Sequence, residues 1–151
     1  MRDVSDLAQL TRCVGQEIAQ SDWVDITQER IALFAQATGD QQWIHVDADR
    51  CRRESPFGVP VAHGFLTLAL IPSLMANAIR LADARLDVNY GLNKVRFPAP
   101  LKVGARVRGS FSLIDLTVIA GGQQLVWKIT IEIEGGDKPA CVAEAVFRRY
   151  D

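Results

Sequence analysis

Apolar and polar positions follow two different periods along this chain, one typical of helices and, later, one typical of strands. In "LVWKITIEIE", apolar residues from Trp127 to Ile133 alternate with polar ones. "RVRGSFSL" alternates likewise, "CVAEAVFRRY" closes the chain in similar style, and "DVNYGLNKVRF" opens the set. A period of two predicts strands with one buried and one solvated face. Because turns such as "AGG" and "EGGDKP" separate these segments, we expect about four long antiparallel strands.

The first half of the chain shows helical spacing instead. Its first segment, "VSDLAQLTRCVGQEI", predicts an amphipathic helix. The apolar positions of this helix are Leu7, Leu10, Val14 and Ile18. The next segment, "DWVDI", is a short strand or an extended entry to the following helix.

A second helix, "QERIALFAQAT", has start and stop signals of its own. Thr27 precedes it and offers a side-chain oxygen to its first N–H groups. Gly39 follows it and supplies the positive φ with which helices commonly end. Asp40 is therefore expected just past a helix end.

A long apolar segment, "VAHGFLTLALIPSLMANAIRLADA", predicts the centre of the fold. From Phe65 to Leu81 it is apolar on nearly every side, which is typical of a helix surrounded by protein. Pro72 is expected to kink this helix or to mark where its regular part begins. The polar interruptions argue against a membrane crossing, which needs ~20 apolar residues.

An apolar helix followed by four half-buried strands is best buried by a curved antiparallel sheet that wraps around the helix. This α+β arrangement is the hot-dog fold. The length of 151 residues, with 48% apolar ones, suits one domain. We therefore predict a single hot-dog domain over residues 1–151.

Charge and cysteine content restrict the partners and the compartment. A net charge of −1 gives no basic excess for nucleic acid or an anionic membrane, so we expect neither as a partner. The opening "MRDVSDLAQL" has acids where a signal peptide has basic and apolar stretches, which predicts a cytoplasmic protein. Cys13, Cys51 and Cys141 lack a CxxC spacing, so we expect buried free thiols.

Candidate chemistry is concentrated in "GDQQWIH" and "PVAHGFLTLAL". Asp40 lies five residues before His45, one of only two histidines, and His63 and Gly64 open the apolar helix. This combination resembles the MaoC-like, (R)-specific enoyl-CoA hydratases, and the wording of "GDQQWIHVD" resembles the branch that includes NodN-like proteins. The resemblance covers Ile26 to Leu74, and over the C-terminal strands it rests on pattern alone.

The resemblance implies an enzyme that adds water to a trans-2-enoyl-CoA and gives the (R)-3-hydroxyacyl thioester. By motif position, Asp40 and His45 match the family's catalytic pair, which holds one water. Gly64 matches the glycine whose backbone N–H holds the thioester oxygen. We expect His45 to be the base and Asp40 to orient the water, although the motif alone does not separate these roles. The resemblance also implies no metal, no cofactor beyond the coenzyme A of the substrate, and a homodimer paired through its sheets.

Two positions depart from the family pattern. Gln42 and Trp43 stand where the family has Asn and Pro, with the spacing to His45 unchanged. Some members also support the aspartate with a helix hydroxyl about eight residues beyond the glycine. That position is Pro72 here, with Ser73 beside it.

Other interpretations of these residues stay open. A thioesterase on the same fold would use Asp40 but leave the role of His45 less clear, and a noncatalytic acyl-CoA binding protein would keep only the cavity. Asp40, His45, Asp47 and His63 have side chains that ligate zinc or iron, although no two have HxxxH spacing. Taken singly, Asp40 reads as a turn residue and His45 as a hydrogen-bonded core histidine. Their combination with Gly64 favours catalysis.

Further expectations concern the surroundings of the site. His63 is expected to orient the loop that leads into Gly64 and is not counted among the catalytic residues. The depth of the acyl tunnel is assigned to Leu66, Leu70 and Leu74. The candidates for contacts with coenzyme A phosphates are Arg50, Arg52, Arg53, Lys94 and Arg96.

Overall fold

The computed structural model describes residues 1–4, 6–81 and 85–150, which form a helical layer and an antiparallel sheet. The strands are β1 (Arg2–Val4), β2 (Glu17–Gln20), β3 (Val24–Asp25), β4 (Ile79–Leu81), β5 (Leu86–Arg96), β6 (Arg106–Ile119), β7 (Gly122–Ile133) and β8 (Cys141–Tyr150). The helices are α1 (Leu7–Arg12), α2 (Gln28–Thr38), α3 (Trp43–Val46), α4 (Ala48–Glu54), α5 (Gly64–Ala69) and α6 (Ile71–Ala78). The α+β class expected from the sequence is confirmed.

Four long strands form the body of the sheet in the order β6, β7, β8, β5, with every neighbouring pair antiparallel. β2 and β3 both pair with the outer side of β6, and β5 forms the opposite edge. The alternation that predicted these strands is confirmed, since Trp127, Ile129 and Ile131 are fully buried and Lys128 is exposed. The short strand expected in "DWVDI" is β3.

The helical layer packs on the sheet through α5 and α6. Leu70 and Leu74 belong to the same buried cluster as Phe111 and Trp127 from the sheet. At Gly109 of β6, an added Cβ would lie 3.3 Å from the Cβ of Leu74. The absence of a side chain at this position therefore lets α6 approach the sheet closely.

The apolar segment does not form one helix over residues 65–81. α5 ends at Ala69, α6 ends at Ala78, and the chain then extends into β4, which pairs in parallel with β1. Pro72 lies in the first turn of α6, where its missing N–H costs no helical hydrogen bond. The role expected for Pro72 is therefore confirmed, but the predicted length of the central helix is wrong. Phe65 on α5 is 70% exposed, so α5 is not enclosed on every side.

The first helix is also shorter than its apolar spacing predicted. α1 ends at Arg12, and Gly15 follows with a φ of +85° that helical backbone does not adopt. Ile18 is buried in β2, where the chain pairs with β6, and Val14 is exposed. Pairing with a sheet edge satisfies the backbone groups of β2, and this tertiary contact overrides the local periodicity.

The three cysteines agree with the expectation from the sequence. Cys13, Cys51 and Cys141 are free and buried, as the sequence predicted. Burial raises the pKa of the Cys141 thiol to about 11, which keeps it protonated at neutral pH. Among the described residues, no helix is long and apolar enough to cross a membrane.

Candidate active site

The position of Asp40 follows from the end of α2. This helix begins and ends where the sequence predicted. The hydroxyl of Thr27 accepts the N–H of Arg30 at 3.2 Å, and Gly39 ends the helix with a φ of +76°. The N–H of Asp40 then donates to the hydroxyl of Thr38 at 3.4 Å. The Asp40 side chain is 54% exposed and therefore accessible to a ligand.

A tight turn carries the chain from Asp40 to His45. The Oδ1 of Asp40 accepts the N–H of Gln42 at 3.3 Å, and α3 begins at Trp43 and contains His45. One ligand atom from each of Asp40, His45 and His63 lies within 4.8 Å of the others. Gln42 and Trp43 therefore keep the aspartate and the histidine together without the Asn and Pro of the family pattern.

His45 is buried and is held at both its ring and its backbone. Its Nδ1 lies 2.6 Å from the carbonyl oxygen of Val61, and its own carbonyl accepts the side-chain amide of Gln28 at 2.8 Å. Because a carbonyl oxygen only accepts hydrogen bonds, Nδ1 must carry the hydrogen. The neutral ring then has its lone pair on Nε2, which is the atom able to take up a proton.

His63, which the sequence left outside the catalytic set, contacts both members of the pair. Its Nε2 lies 3.0 Å from the carbonyl oxygen of Asp40 and 3.9 Å from the carboxylate Oδ2. Its ring stacks on that of His45, with centroids 3.7 Å apart and planes 23° from parallel. Nδ1 of His63 is buried and has no hydrogen-bond partner in the described part of the chain.

Gly64 opens α5 and lies under the ring of Phe97. A Cβ built at Gly64 would lie 3.0 Å from two carbon atoms of that ring, which is closer than ordinary van der Waals contact. The position beneath Phe97 therefore suits a residue without a side chain. Phe97, Val61 and Gln28 were not predicted as parts of the site. Phe97 and Gln28 lie outside both motifs, and Val61 lies within "PVAHGFLTLAL" but contributes only its backbone carbonyl, which the side-chain pattern does not reveal.

The structure also bears on the metal alternative. Asp47 lies outside the cluster of Asp40, His45 and His63, and its carboxylate instead accepts the N–H of Arg50 at the start of α4. The imidazoles of His45 and His63 are stacked nearly face to face. Ligand atoms of Asp40, His45 and His63 lie within 4.8 Å of one another, a spacing that a metal ion could also bridge, so the expected absence of a metal stays a prediction.

Two cavities are lined by residues of α5 and α6, and neither is lined by Asp40, His45, His63 or Gly64. The smaller one has a volume of about 360 Å³, and its lining includes Phe65, the residue after Gly64. The larger one has a volume of about 630 Å³ and extends to Trp127. Both are lined in part by Pro72, Asn89 and Phe147, so they adjoin.

The helix face that lines these cavities differs from the predicted one. Leu66, Leu70 and Leu74 were expected to set the depth of the tunnel, but they are buried in the core against the sheet. Leu66, Leu70 and Leu74 do not line either cavity. The smaller cavity is instead lined on α5 by Phe65, Leu68 and Ala69.

The hydroxyl of Ser73, which stands near the position of the family's helix hydroxyl, bonds to the backbone of Leu70. Ser73 donates to the carbonyl of Leu70 at 2.9 Å, within the helical segment itself. Pro72 has no hydroxyl to offer. The described hydrogen bonds to the backbone of Asp40 come instead from Thr38 and His63.

The candidate phosphate-binding residues fall into two groups. On α4, Arg50 pairs with Glu54 at 2.8 Å and Arg52 with Asp49 at 2.9 Å, which fits a solvated helix face. On β5, Lys94 and Arg96 line a separate cavity of about 200 Å³ together with Lys128 and Glu144. None of these contacts identifies a phosphate site, so the assignment stays a prediction.

Comparison with known proteins identifies the family. The model of the MaoC-like domain matches residues 9–134 of this chain. The chain belongs to the MaoC-like dehydratase family. The 3-hydroxyacyl-thioester dehydratase Z of Mycobacterium tuberculosis (strain H37Rv) is 50% identical over 149 residues, which is 98% of each chain. Nodulation protein N of Rhizobium leguminosarum bv. viciae is 42% identical over 140 residues, covering 91% of this chain and 86% of that protein.

Solved structures of two hydratases share the architecture. The unliganded R-hydratase PhaJ1 of Pseudomonas aeruginosa superposes with a TM-score of 0.70 at 22% identity, covering 91% of this chain and 82% of that one. The (R)-hydratase of A. caviae gives 0.68 at 23% identity, covering 89% and 94%. The hot-dog fold, the MaoC-like family and the likeness to NodN expected from the sequence are therefore confirmed. The family and its full-length dehydratase relative make this MaoC-like chain an enzyme of the hydro-lyase class.

Proposed function

We propose that this MaoC-like protein catalyses the reversible addition of water to a trans-2-enoyl-CoA, giving the (R)-3-hydroxyacyl-CoA. The observation that carries the proposal is the hydrogen bond from His45 Nδ1 to the carbonyl of Val61, because it leaves Nε2 as the nitrogen that can accept a proton, in a cluster with the exposed carboxylate of Asp40. The relative named as a 3-hydroxyacyl-thioester dehydratase supports the reaction, and the structures named as (R)-hydratases support its stereochemistry.

In the hydration direction, one water lies between Asp40 and His45. His45 Nε2 removes one proton as the water oxygen bonds to the β carbon, while Asp40 accepts a hydrogen bond from the remaining O–H and orients the water. The electrons of the double bond move toward the thioester oxygen, and the removed proton is passed by the Asp40 and His45 pair to the α carbon from the same face, so that one H and one OH are added across the double bond. Dehydration follows these steps in reverse. Positioned acid and base groups of this kind contribute ~10² to 10⁴ in rate.

Gly64 supplies the third part of the mechanism. Negative charge develops on the thioester oxygen as the β carbon is attacked. A hydrogen bond from a backbone N–H to this oxygen lowers the free energy of the transition state by ~2.7 to 4 kcal/mol. The missing side chain at Gly64 lets the thioester approach this N–H closely. His63, the residue before Gly64, contacts both Asp40 and His45, which keeps this donor beside the pair.

We place the acyl chain in the two adjoining cavities. Their lining is mainly apolar and includes Phe65, the residue after Gly64, in the smaller cavity and the buried Trp127 in the larger one. An acyl chain attached at the thioester would enter the smaller cavity first and reach the larger one only when it is long enough. Burial of each methylene contributes ~0.8 kcal/mol.

We also propose that the protein is a homodimer. β5 hydrogen-bonds to β8 on one side, and among the described strands none pairs with its other side. Tyr90 and Leu92 are exposed on this strand. An open edge of this length with apolar side chains favours pairing with a second copy about a two-fold axis.

The test of the proposed reaction follows the ultraviolet absorbance of a short trans-2-enoyl-CoA while free thiol is titrated in parallel. We expect the enoyl signal to fall without thiol release, and chiral chromatography of the hydrolysed product to give the R acid. Asp40→Asn and His45→Gln should each lower kcat by about 10² to 10⁴. Matched controls are Asp47→Asn and Gln16→Ala, which leave the pair intact.

Other results would contradict this assignment in distinct ways. Thiol release would identify a thioesterase instead. Binding of the enoyl-CoA without any change in absorbance, across several chain lengths, would identify a noncatalytic binding protein. Full activity in both variants would show that Asp40 and His45 are not the reacting groups.

A further inference from the structure

We propose that His63 is a positioning residue that fixes Asp40 and His45 relative to Gly64. This inference rests on the proposed function, since it concerns the same active site. His63 bonds to the backbone of Asp40, stacks on the ring of His45, and immediately precedes Gly64 in the chain. It is thus a single side chain in contact with every segment that contributes a group to the reaction.

The contact with Asp40 is a directional hydrogen bond. The carbonyl oxygen of Asp40 only accepts, so Nε2 of His63 carries the hydrogen across the 3.0 Å distance. Asp40 follows the left-handed Gly39 at the end of α2, and its N–H donates to the hydroxyl of Thr38 at 3.4 Å. Its half-exposed carboxylate makes one described backbone contact, with Gln42 at 3.3 Å. The hydrogen bond from His63 to the Asp40 carbonyl is shorter, at 3.0 Å, and comes from another segment, so we expect the direction of the carboxylate to depend on it.

The contact with His45 is a stack that fixes the plane of the base. The two centroids are 3.7 Å apart, and the His63 ring is in turn contacted by Phe34, whose ring centroid lies 5.0 Å away. The backbone of His63 is held as well, because its carbonyl accepts the hydroxyl of the buried Thr67 at 3.3 Å. His63 is therefore fixed by α2 and α5 and restricts the tilt of His45.

The geometry argues against proton transfer by His63 itself. Its Nε2–H is engaged by the carbonyl of Asp40. Its Nδ1 is buried, and no partner for it exists among the described residues. Neither nitrogen has an open route to a substrate, and the side chain is only 3% exposed. The role left to His63 is positioning.

The experiment separates the hydrogen bond from the stack with two substitutions. His63→Gln keeps a donor near the position of Nε2, whereas His63→Phe keeps an aromatic face against His45 but has no donor. We expect His63→Phe to lower kcat for a short trans-2-enoyl-CoA by about tenfold, with KM within about twofold, since a misplaced catalytic group affects the reaction more than binding. His63→Gln should recover most of this kcat. His63→Asn, whose amide corresponds to Nδ1, should not.

A second readout does not depend on catalysis. Amide hydrogen exchange of Gln42, which donates to the Asp40 carboxylate, is measured by NMR in the same variants. We expect faster exchange in His63→Phe and protection near that of the wild type in His63→Gln. If the wild type hydrates no enoyl-CoA, the proposed function fails, but this exchange pattern still tests the positioning role.

Three outcomes would overturn the inference. Wild-type kcat and exchange in His63→Phe would show that neither contact positions the pair. An increase in KM at unchanged kcat would make His63 a substrate-binding residue. Equal loss of kcat and of melting temperature in the Gln, Asn and Phe variants would show a general packing role without the donor specificity that positioning requires.

Discussion

At the scale of single residues, two backbone carbonyls determine the chemistry of the site. The carbonyl of Val61 assigns the hydrogen of His45 to Nδ1, and that of Asp40 assigns the hydrogen of His63 to Nε2. The two histidines thus have opposite tautomers, although they stack on one another. This difference explains why His45 presents a basic nitrogen to the site and His63 does not.

Gly64 allows a test of the oxyanion assignment. In Gly64→Ala, the new Cβ would lie 3.0 Å from the ring of Phe97, which is 40% exposed and has room to shift. We therefore expect the free energy of unfolding to fall by only about 1 kcal/mol. The methyl group would hold the thioester oxygen away from the N–H, so kcat should fall by about 10². Thermal melting and enoyl-CoA kinetics measure the two effects.

The double variant Gly64→Ala with Phe97→Leu separates the causes. It removes the crowded ring, so it should regain stability while kcat stays low. Recovery of kcat in this variant would mean that displacement of Phe97, and not access to the N–H, limits the reaction. Unchanged kcat in Gly64→Ala alone would remove Gly64 from the mechanism.

At the scale of elements, α5 and α6 each contribute some side chains to the core and others to a cavity. Leu66 and Leu70 are buried in the core, while Leu68 and Ala69 line the smaller cavity. Farther along, Ala76 of α6 lines the larger cavity. The two helices therefore present small side chains at successive distances from Gly64.

These two alanines give a graded test of where the acyl chain lies. Ala69→Phe should obstruct the smaller cavity and lower kcat/KM for medium and long enoyl-CoA substrates by about tenfold or more, because several methylenes lose their burial. Ala76→Phe should affect only the longer substrates. Rates across a series of chain lengths measure both variants. The same loss at every chain length in both, or no loss in either, would place the acyl chain elsewhere.

At the scale of the whole molecule, the open edge of β5 predicts the assembly. Light scattering of the purified protein should give twice the mass of one chain. In Tyr90→Lys, a charge is added at this edge beside Arg148, whose guanidinium lies 3.4 Å from the Tyr90 ring centroid. We expect this variant to shift toward the monomer, because charged side chains on an edge strand oppose pairing.

Val118→Lys is the matched control for the assembly. Val118 is 73% exposed on β6, toward the opposite side of the sheet, so a charge there should leave the dimer intact. A monomeric wild type would contradict the homodimer. A dimer that dissociates in Val118→Lys but not in Tyr90→Lys would place the interface on the other edge.

The sequence by itself determined the elements whose causes are local. Alternation of apolar and polar residues is sufficient to place the four long strands, because burial of one face requires it. Thr27 and Gly39 define the ends of α2, because their contacts reach only three or four residues along the chain. Asp40 and His45 were selected by their resemblance to the motif of the MaoC-like family, and one short turn brings them together.

Only the tertiary structure decided how these residues are held. Val61 reaches His45 across 16 residues, and His63 reaches Asp40 across 23. Such contacts depend on how the helices pack on the sheet, and no local pattern encodes that packing. Local periodicity also predicted a first helix longer than α1. Ile18 instead belongs to β2, because this segment pairs with β6 in the sheet. Local energetics select the elements, and long-range packing selects the partners of each side chain.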